Sequence, residues 1–306
     1  MILLKESDLK QDSVLTLGVF DGVHIGHREI FGLLQSLALE LKSKSLVITL
    51  SPNPEEVLYP NKRSTVISPL DYKIELLSEL GLDYAMVLKT DKELLGYSSR
   101  DFFDKFIWAK FKPRAIVIGE DFKFGNKREA DIGFLCKLSD EYKFSLHVIP
   151  FLNYKKKKVS SSRIRESLSH GEIEDVSYML SKFPRFIGRV VPGEGRGRKL
   201  GFPTANILTD YAFNLKKGVY RGWALIKSER LPALLYVGTA PTFGGKFLRF
   251  EIYIPKFRGY LYGKNMGFEI QSFLREERLF SNKEDIQTQL EIDREVLLEN
   301  SSYEVQ

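Results

Sequence analysis

Apolar positions in the first half of the chain fall into two alternating patterns. Short runs at Val14-Leu15-Thr16-Leu17, Leu46-Val47-Ile48-Thr49-Leu50, Tyr84-Ala85-Met86-Val87-Leu88, Ala115-Ile116-Val117-Ile118 and Ser145-Leu146-His147-Val148-Ile149 predict buried strands. After the first of them, Ile30, Leu33, Leu34, Leu37 and Leu41 recur at helical spacing. Ser68-Pro69-Leu70-Asp71 and Ser98-Ser99-Arg100-Asp101 read as helix starts, each a serine followed three residues later by an aspartate. Strands recurring at roughly thirty-residue intervals are βαβ units, so the pattern predicts a doubly wound parallel sheet covered on both faces. Ligands of such sheets bind beyond the carboxyl ends of the strands.

Near Phe183-Pro184-Arg185 the pattern changes. From there to about residue 275, short runs separated by glycine-rich breaks include Gly218–Leu225, Leu234–Val237 and Phe250–Ile254, which favours a small antiparallel barrel. A helix closes the chain, with Ser281 as its cap, Glu284 completing the box, and Ile286, Leu290 and Leu297 on one face. The expected organisation is an α/β domain over 1–182 and a barrel domain over 183–306.

Composition adds limits to this picture. The chain has 306 residues, 43% of them hydrophobic and 28% charged, enough to bury a core in each of two domains. No apolar run approaches the ~18 residues of a membrane span, and Met1-Ile2-Leu3-Leu4-Lys5 lacks a basic leader. The lone cysteine, Cys136, forms no internal disulfide and fits a reducing compartment, so a cytoplasmic protein is expected. A net charge of +6 is compatible with an anionic ligand but does not choose one. Lys155-Lys156-Lys157-Lys158, the one dense basic run, reads as a solvated loop with a minor part in attracting polyphosphate.

The candidate chemistry begins in the segment from Gly18 to His27, which holds two of the chain's four histidines. His24 and His27 lie in a strand-to-helix turn, where backbone N–H groups and the helix dipole favour an anion. Gly22 and Gly26 allow close backbone approach and the imidazoles can donate hydrogen bonds, which suits a nucleotide triphosphate. Asp21 either orients this turn or holds a hydroxyl. Further on, Gly193-Glu194-Gly195-Arg196-Gly197-Arg198-Lys199-Leu200-Gly201 is too glycine-dense for a strand and lacks Walker A spacing. Thr204 and Asn206 follow it with hard oxygens suited to Mg²⁺ beside phosphates.

Gly18-Val19-Phe20-Asp21-Gly22-Val23-His24-Ile25-Gly26-His27 resembles the Gly-x-Phe-Asp-Gly-x-His-x-Gly-His signature of the nucleotidylyltransferase superfamily, in its FAD synthetase branch. With Gly119-Glu120-Asp121-Phe122-Lys123-Phe124-Gly125, Ser160-Ser161-Ser162-Arg163-Ile164-Arg165 and Gly201-Phe202-Pro203-Thr204-Ala205-Asn206 in that order, the chain resembles the bifunctional riboflavin kinase/FMN adenylyltransferases of bacteria. The resemblance implies a nucleotidylyltransferase-type sheet and a riboflavin kinase-like barrel. It also implies ATP, riboflavin and FMN as substrates, FAD as product, and Mg²⁺ held by Thr204 and Asn206. His24, His27, Arg165 and Glu251 take the catalytic roles. The histidines act as donors, Arg165 neutralises pyrophosphate, and Glu251 is the base for the ribityl hydroxyl. Gly18, Phe20, Asp21, Gly26, Ser160, Ser161, Ser162 and Arg163 would bind nucleotide in the first domain, and Gly193, Gly197, Lys199 and Gly201 in the second. Asn53, Asp121, Phe122 and Phe124 would meet the flavin or ribose, with packing an alternative for the phenylalanines.

Val159 and Ser162 stand at the first and fourth positions of the superfamily's Ile-Ser-Ser-Thr-x-x-Arg motif. The chain departs from the family at Asn53, where Pro-His-Pro is frequent, at Tyr253 and Lys256, where histidine and aspartate are common, and at Phe183-Pro184, where Pro-Tyr is usual. A paralogue with one activity is the alternative these changes raise. Nucleic-acid binding by the barrel is disfavoured because the basic residues are dispersed.

Overall fold

The computed structural model describes residues 1–5, 7–8, 12–60, 65–239 and 248–301. Its contacts divide the chain into one unit of Met1–Ser64 with Ser68–Ser161, and a second of Thr65–Ile67 with Ser162–Gln306.

In the first unit, β1 (Ile2–Leu4), β2 (Val14–Gly18), β3 (Ser45–Ser51), β4 (Tyr84–Lys89), β5 (Ala115–Gly119) and β6 (Ser145–Ile149) form one sheet. All its pairings are parallel, in the order β1-β4-β3-β2-β5-β6. The five expected strands are present and β1 is added at an edge. Its three residues are too few to show a period. Leu46, Val47 and Ile48 are all fully buried although they point to alternate sides, as a sheet covered on both faces requires. The connections run through α1 (Ile25–Glu40), α2 (Pro54–Leu58), α3 (Leu70–Glu79), α4 (Lys92–Gly96), α5 (Ser99–Phe102), a π-helical turn Phe103–Trp108, α6 (Ala109–Phe111) and α7 (Ile132–Tyr142).

From β2 the chain moves outward to β3 and β4, then returns to place β5 on the other side of β2. The switch point therefore lies between the carboxyl ends of β2 and β5. The histidine turn leaves one of these strands and the Gly119–Gly125 segment leaves the other. The lysine run forms a hairpin of β7 (Asn153–Tyr154) and β8 (Lys157–Lys158), with Lys155 and Lys156 at φ 50° and 61° in its two-residue turn.

The second unit opens with α8 (Ser161–His170), whose first residue belongs to the first unit, and α9 (Ile173–Leu180). Then come β9 (Arg185–Val191), α10 (Arg196–Lys199), β10 (Thr204–Leu208), β11 (Gly218–Ile226), β12 (Glu229–Thr239), β13 (Leu248–Tyr253), β14 (Asn265–Arg275) and α11 (Lys283–Ser301). The strands close an antiparallel barrel in the order β10-β13-β12-β11-β14-β9. Phe186 sits fully buried at its centre, with ring centroids of Phe250, Phe213 and Phe268 at 4.9, 5.7 and 6.1 Å. Arg275 on β14 and the buried Asp293 on α11 form a bidentate pair at 2.9 and 2.6 Å that fixes the closing helix.

Two expected caps are corrected. Ser68 does not cap α3, which starts after Pro69 with no side-chain cap, because the Ser68 hydroxyl is held by Asp21. At α11 the Asp285 N–H is accepted by Asn282 Oδ1 at 2.8 Å, one residue beyond the expected Ser281.

Candidate functional site

In the first unit the turn between β2 and α1 is backbone-strained. Phe20 and Val23 have φ of 50° and 45°, and for a β-branched valine that region is unusual. The space around Gly18 and Gly26 explains why neither carries a side chain. A Cβ on Gly18 would meet the Phe20 ring at 2.9 Å, and one on Gly26 would lie 3.3 Å from the His24 imidazole. Phe20 is buried between His27 and Phe31, at centroid distances of 5.2 and 4.9 Å.

His24 caps α1, its Nδ1 accepting the His27 N–H at 3.3 Å. An accepting Nδ1 places the proton of the neutral ring on Nε2, which leaves one ring donor. The two imidazoles stack, with centroids 3.5 Å apart and planes at 17°. Burial pushes His24 down to about 4 against the opposing charge of Asp21, and burial with the neighbouring His24 and Lys73 holds His27 well below its ordinary value. Both rings are therefore neutral near pH 7. His27 Nδ1 is buried and has no hydrogen-bond partner.

Asp21 orients the turn from beneath. Its Oδ1 accepts the Ser68 N–H at 2.9 Å and the Ser68 hydroxyl at 3.2 Å, while that hydroxyl accepts the Gly22 N–H at 2.7 Å. Ser161, at the start of α8, donates its hydroxyl to the Asp21 carbonyl at 2.9 Å. Ser160 immediately precedes it, and Ser162, Arg163 and Arg165 follow within the first turn and a half of the same helix.

On the β5 side, the exposed Asp121 pairs with Lys158 at 2.7 Å. Phe124 is buried and Phe122 half-buried, their rings 5.6 Å apart. They pack in the apolar core with Leu17, Ile118, Phe102 and Phe103, around a cavity of about 20 Å³, the space of a single water. Asn53 is the cap of α2, accepting the Glu55 N–H at 3.1 Å and donating its own backbone N–H to Glu56.

Two groups in this site escaped the sequence reading: Ser68, read as a helix cap, and Lys73, not singled out at all. Lys73 lies on the buried face of α3 with Tyr72, Leu76 and Leu77. A lysine four residues before a buried leucine, in the apolar stripe of a helix, was the available signal.

In the barrel, Asn206 on β10 and Tyr236 on β12 stand opposite Glu251 on β13. Phe250 and Ile252 are buried on the inner face, so Glu251 belongs to the outer one, as expected from strand alternation. Thr204 donates its hydroxyl to Glu251 Oε2 at 2.7 Å, and Arg249 pairs with the other carboxylate oxygen. The glycine segment packs onto the same pair of β10 side chains. A Cβ on Gly193 would lie 2.0 Å from Asn206 Nδ2, and one on Gly197 would lie 2.3 Å from the Phe202 carbonyl and 3.3 Å from Thr204 Oγ1. Lys199 ends α10 and Gly201 turns the chain towards β10 at φ 85°. Tyr253 contacts Phe202, with centroids 5.2 Å apart.

This second cluster fits a hard cation. Thr204 gives its proton to Glu251 and keeps its lone pairs, Asn206 offers an amide oxygen, and the glycines leave room beside both. Among the described residues no group of three or more His, Cys, Asp or Glu side chains is placed to hold a metal. Two neutral oxygens leave most of an octahedral shell to phosphates and water, the usual state of Mg²⁺ with nucleotides.

A strained glycine-bearing turn at the switch point of a parallel sheet and a Thr204–Asn206–Glu251 cluster on a closed barrel are the arrangement expected of a two-unit, nucleotide-using transferase. Comparison with known proteins agrees. Residues 6–163 match the FAD synthetase family and residues 180–300 the riboflavin kinase family. A bifunctional riboflavin kinase/FMN adenylyltransferase of Buchnera aphidicola is 31% identical, covering 94% of this chain and 92% of its own. The Escherichia coli K12 protein of the same description is 30% identical, covering 93% and 91%. The chain belongs to the bifunctional riboflavin kinase/FMN adenylyltransferase family. A crystal structure from Streptococcus pneumoniae, described as a macrolide-efflux protein, superposes with a TM-score of 0.85 at 27% identity, over 97% of this chain and 98% of that one. Among the described residues no helix is long and apolar enough to cross a membrane.

Proposed function

We infer that this chain makes FAD from riboflavin in two ATP-dependent steps. The barrel phosphorylates riboflavin to FMN, and the sheet unit joins FMN to the adenylyl group of a second ATP with release of pyrophosphate. The observation that carries this reading is the presence, in one chain, of the stacked His24–His27 pair and the Thr204–Glu251 pair.

Adenylyl transfer needs no protein nucleophile, because the FMN phosphate is already an anion. It needs alignment and donors at the phosphates. His24 supplies a neutral Nε2–H and His27 a second donor. Ser160, Ser161 and Ser162 add donors at the α8 N-terminus, and Arg163 and Arg165 add positive charge along that helix. Gly18, Phe20, Asp21 and Gly26 hold the shape of the turn. The half-buried Phe122 offers an aromatic face to the flavin while Phe124 packs in the core beneath it, and Asp121 and Asn53 serve the ribose and flavin as polar partners.

In the kinase step Glu251 accepts the proton of the ribityl hydroxyl as that oxygen attacks the γ-phosphorus, the β,γ P–O bond breaks and ADP leaves. Thr204 and Asn206 would hold Mg²⁺, which would offset charge on the ATP phosphates. Gly193, Gly197, Lys199 and Gly201 shape and neutralise the phosphate side of the cleft. None of the departures at Asn53, Tyr253 and Lys256 removes one of these groups, so both activities are retained. The domain boundary relevant to function lies at 182/183, and the protein works in the cytoplasm on small molecules, without a nucleic-acid partner.

Incubation with riboflavin, ATP and Mg²⁺, followed by flavin chromatography, tests the reading. FMN should appear first and FAD after it, both dependent on Mg²⁺. Unchanged riboflavin, with supplied FMN also unchanged, would overturn it.

A further inference from the structure

A buried cation lies behind the histidine turn with no part in the chemistry just described. Lys73 on α3 is 5% exposed, and its Nζ reaches three oxygens: the Val19 carbonyl at 2.8 Å, Thr49 Oγ1 at 3.3 Å and the Leu50 carbonyl at 3.5 Å. All three can accept, which matches the three N–H donors of an ammonium. Thr49 donates its own proton to the same Val19 carbonyl at 3.0 Å. Val19 is the residue between the end of β2 and the strained Phe20, so these bonds act where the turn departs from the strand.

Leaving a cation buried is costly unless the position requires it. A methionine or leucine in the stripe of Tyr72, Leu76 and Leu77 would pack without that cost. We propose that Lys73 is a positioning residue of the adenylyl-transfer site, its ammonium fixing the Val19 carbonyl and so the turn that presents His24 and His27 to the nucleotide phosphates. This rests on the reading of that turn given above.

The charge also reaches the histidines. Burial lowers the Lys73 ammonium below its ordinary value while Asp21 and Glu56 raise it, and Lys73 in turn disfavours protonation of His27. The other charged groups facing the pair are Asp21 on the turn, with Asp121 and Lys158 acting on His24. A lysine that served packing alone would have no reason to set both the path of the turn and the charge state of its histidine.

The test compares the full chain with Lys73→Met, which keeps the length and loses charge and donors, and Lys73→Arg, which keeps both. FMN adenylylation by Lys73→Met should fall about 10²-fold in kcat, the scale of a misplaced reacting geometry, while its riboflavin kinase rate stays at the parental value. The His27 imidazole, followed by NMR, should titrate at higher pH in Lys73→Met and close to the parent in Lys73→Arg. A parental adenylylation rate, or an unmoved His27 titration in the folded Lys73→Met protein, would overturn the proposal. If Lys73→Met does not fold, Thr49→Val decides. It removes one acceptor and the second bond to Val19, and should lower adenylylation severalfold; a parental rate there would also overturn the proposal. His27→Ala, assayed in parallel, separates the two claims. If it too leaves adenylylation intact, the reading of the turn itself fails. If it abolishes adenylylation while the Lys73 variants do not, only the role of Lys73 fails.

Discussion

Single residues set the chemistry, and His24 shows how. Its Nδ1 is committed to capping α1, so the ring is neutral with its proton on Nε2. NMR should find that tautomer at pH 7, and a proton on Nδ1 would contradict the cap. Its folded value near 4 lies below the ordinary 6.5, so the unfolded chain binds the proton more tightly. His24 therefore leaves the first unit at full stability above about pH 6.5. Stability is lost as pH falls towards 4, by on the order of 3 kcal/mol. Denaturant unfolding of the parent and of His24→Asn across that range checks the sign: the parent should lose stability more steeply on acidification. The histidines, the serines and Glu251 were legible as candidates because their types and spacing form recognisable motifs. Ser68 and Lys73 were not, because what defines them is contact with residues 46 and 54 positions away.

At the scale of elements, the five strands of the sheet were legible because a covered parallel sheet needs continuous apolar runs. The three-residue β1 was hidden by its length, and the α11 cap slipped by one because Ser281 and Asn282 are both competent caps. The glycine segment before β10 was legible only as a break in pattern. The structure gives it a reason, since Gly193 and Gly197 lie against Asn206, Phe202 and Thr204. Gly193→Ala would put a methyl into the Asn206 amide, 2.0 Å from Nδ2. It should weaken ADP binding in the presence of Mg²⁺, raise the KM for ATP in the kinase step, and leave adenylylation of supplied FMN unchanged. Calorimetric titration with ADP, with and without Mg²⁺, reads the effect. An undiminished Mg²⁺-dependent gain in affinity would mean that this segment does not line the nucleotide.

At the scale of the whole molecule, the FAD synthetase and riboflavin kinase families match separate stretches of the chain, so the two proposed steps should be separable by mutation. His27→Ala should lower FAD formation by about 10²–10³, the cost of one lost donor, while FMN accumulates. Glu251→Gln keeps size and hydrogen bonding but not basicity, and should lower FMN formation by roughly 10²–10⁴ while supplied FMN is still converted. The most direct measurement of the central claim is to mix these two variants, neither able to make FAD from riboflavin at the parental rate. The mixture is supplied with riboflavin, ATP and Mg²⁺, and riboflavin, FMN and FAD are separated over time. The expected result is that FMN made by the His27→Ala protein is adenylylated by the Glu251→Gln protein, so FAD formation returns. If the mixture makes no more FAD than the two variants do separately, or if each folded variant loses both activities, the assignment of one step to each unit is wrong.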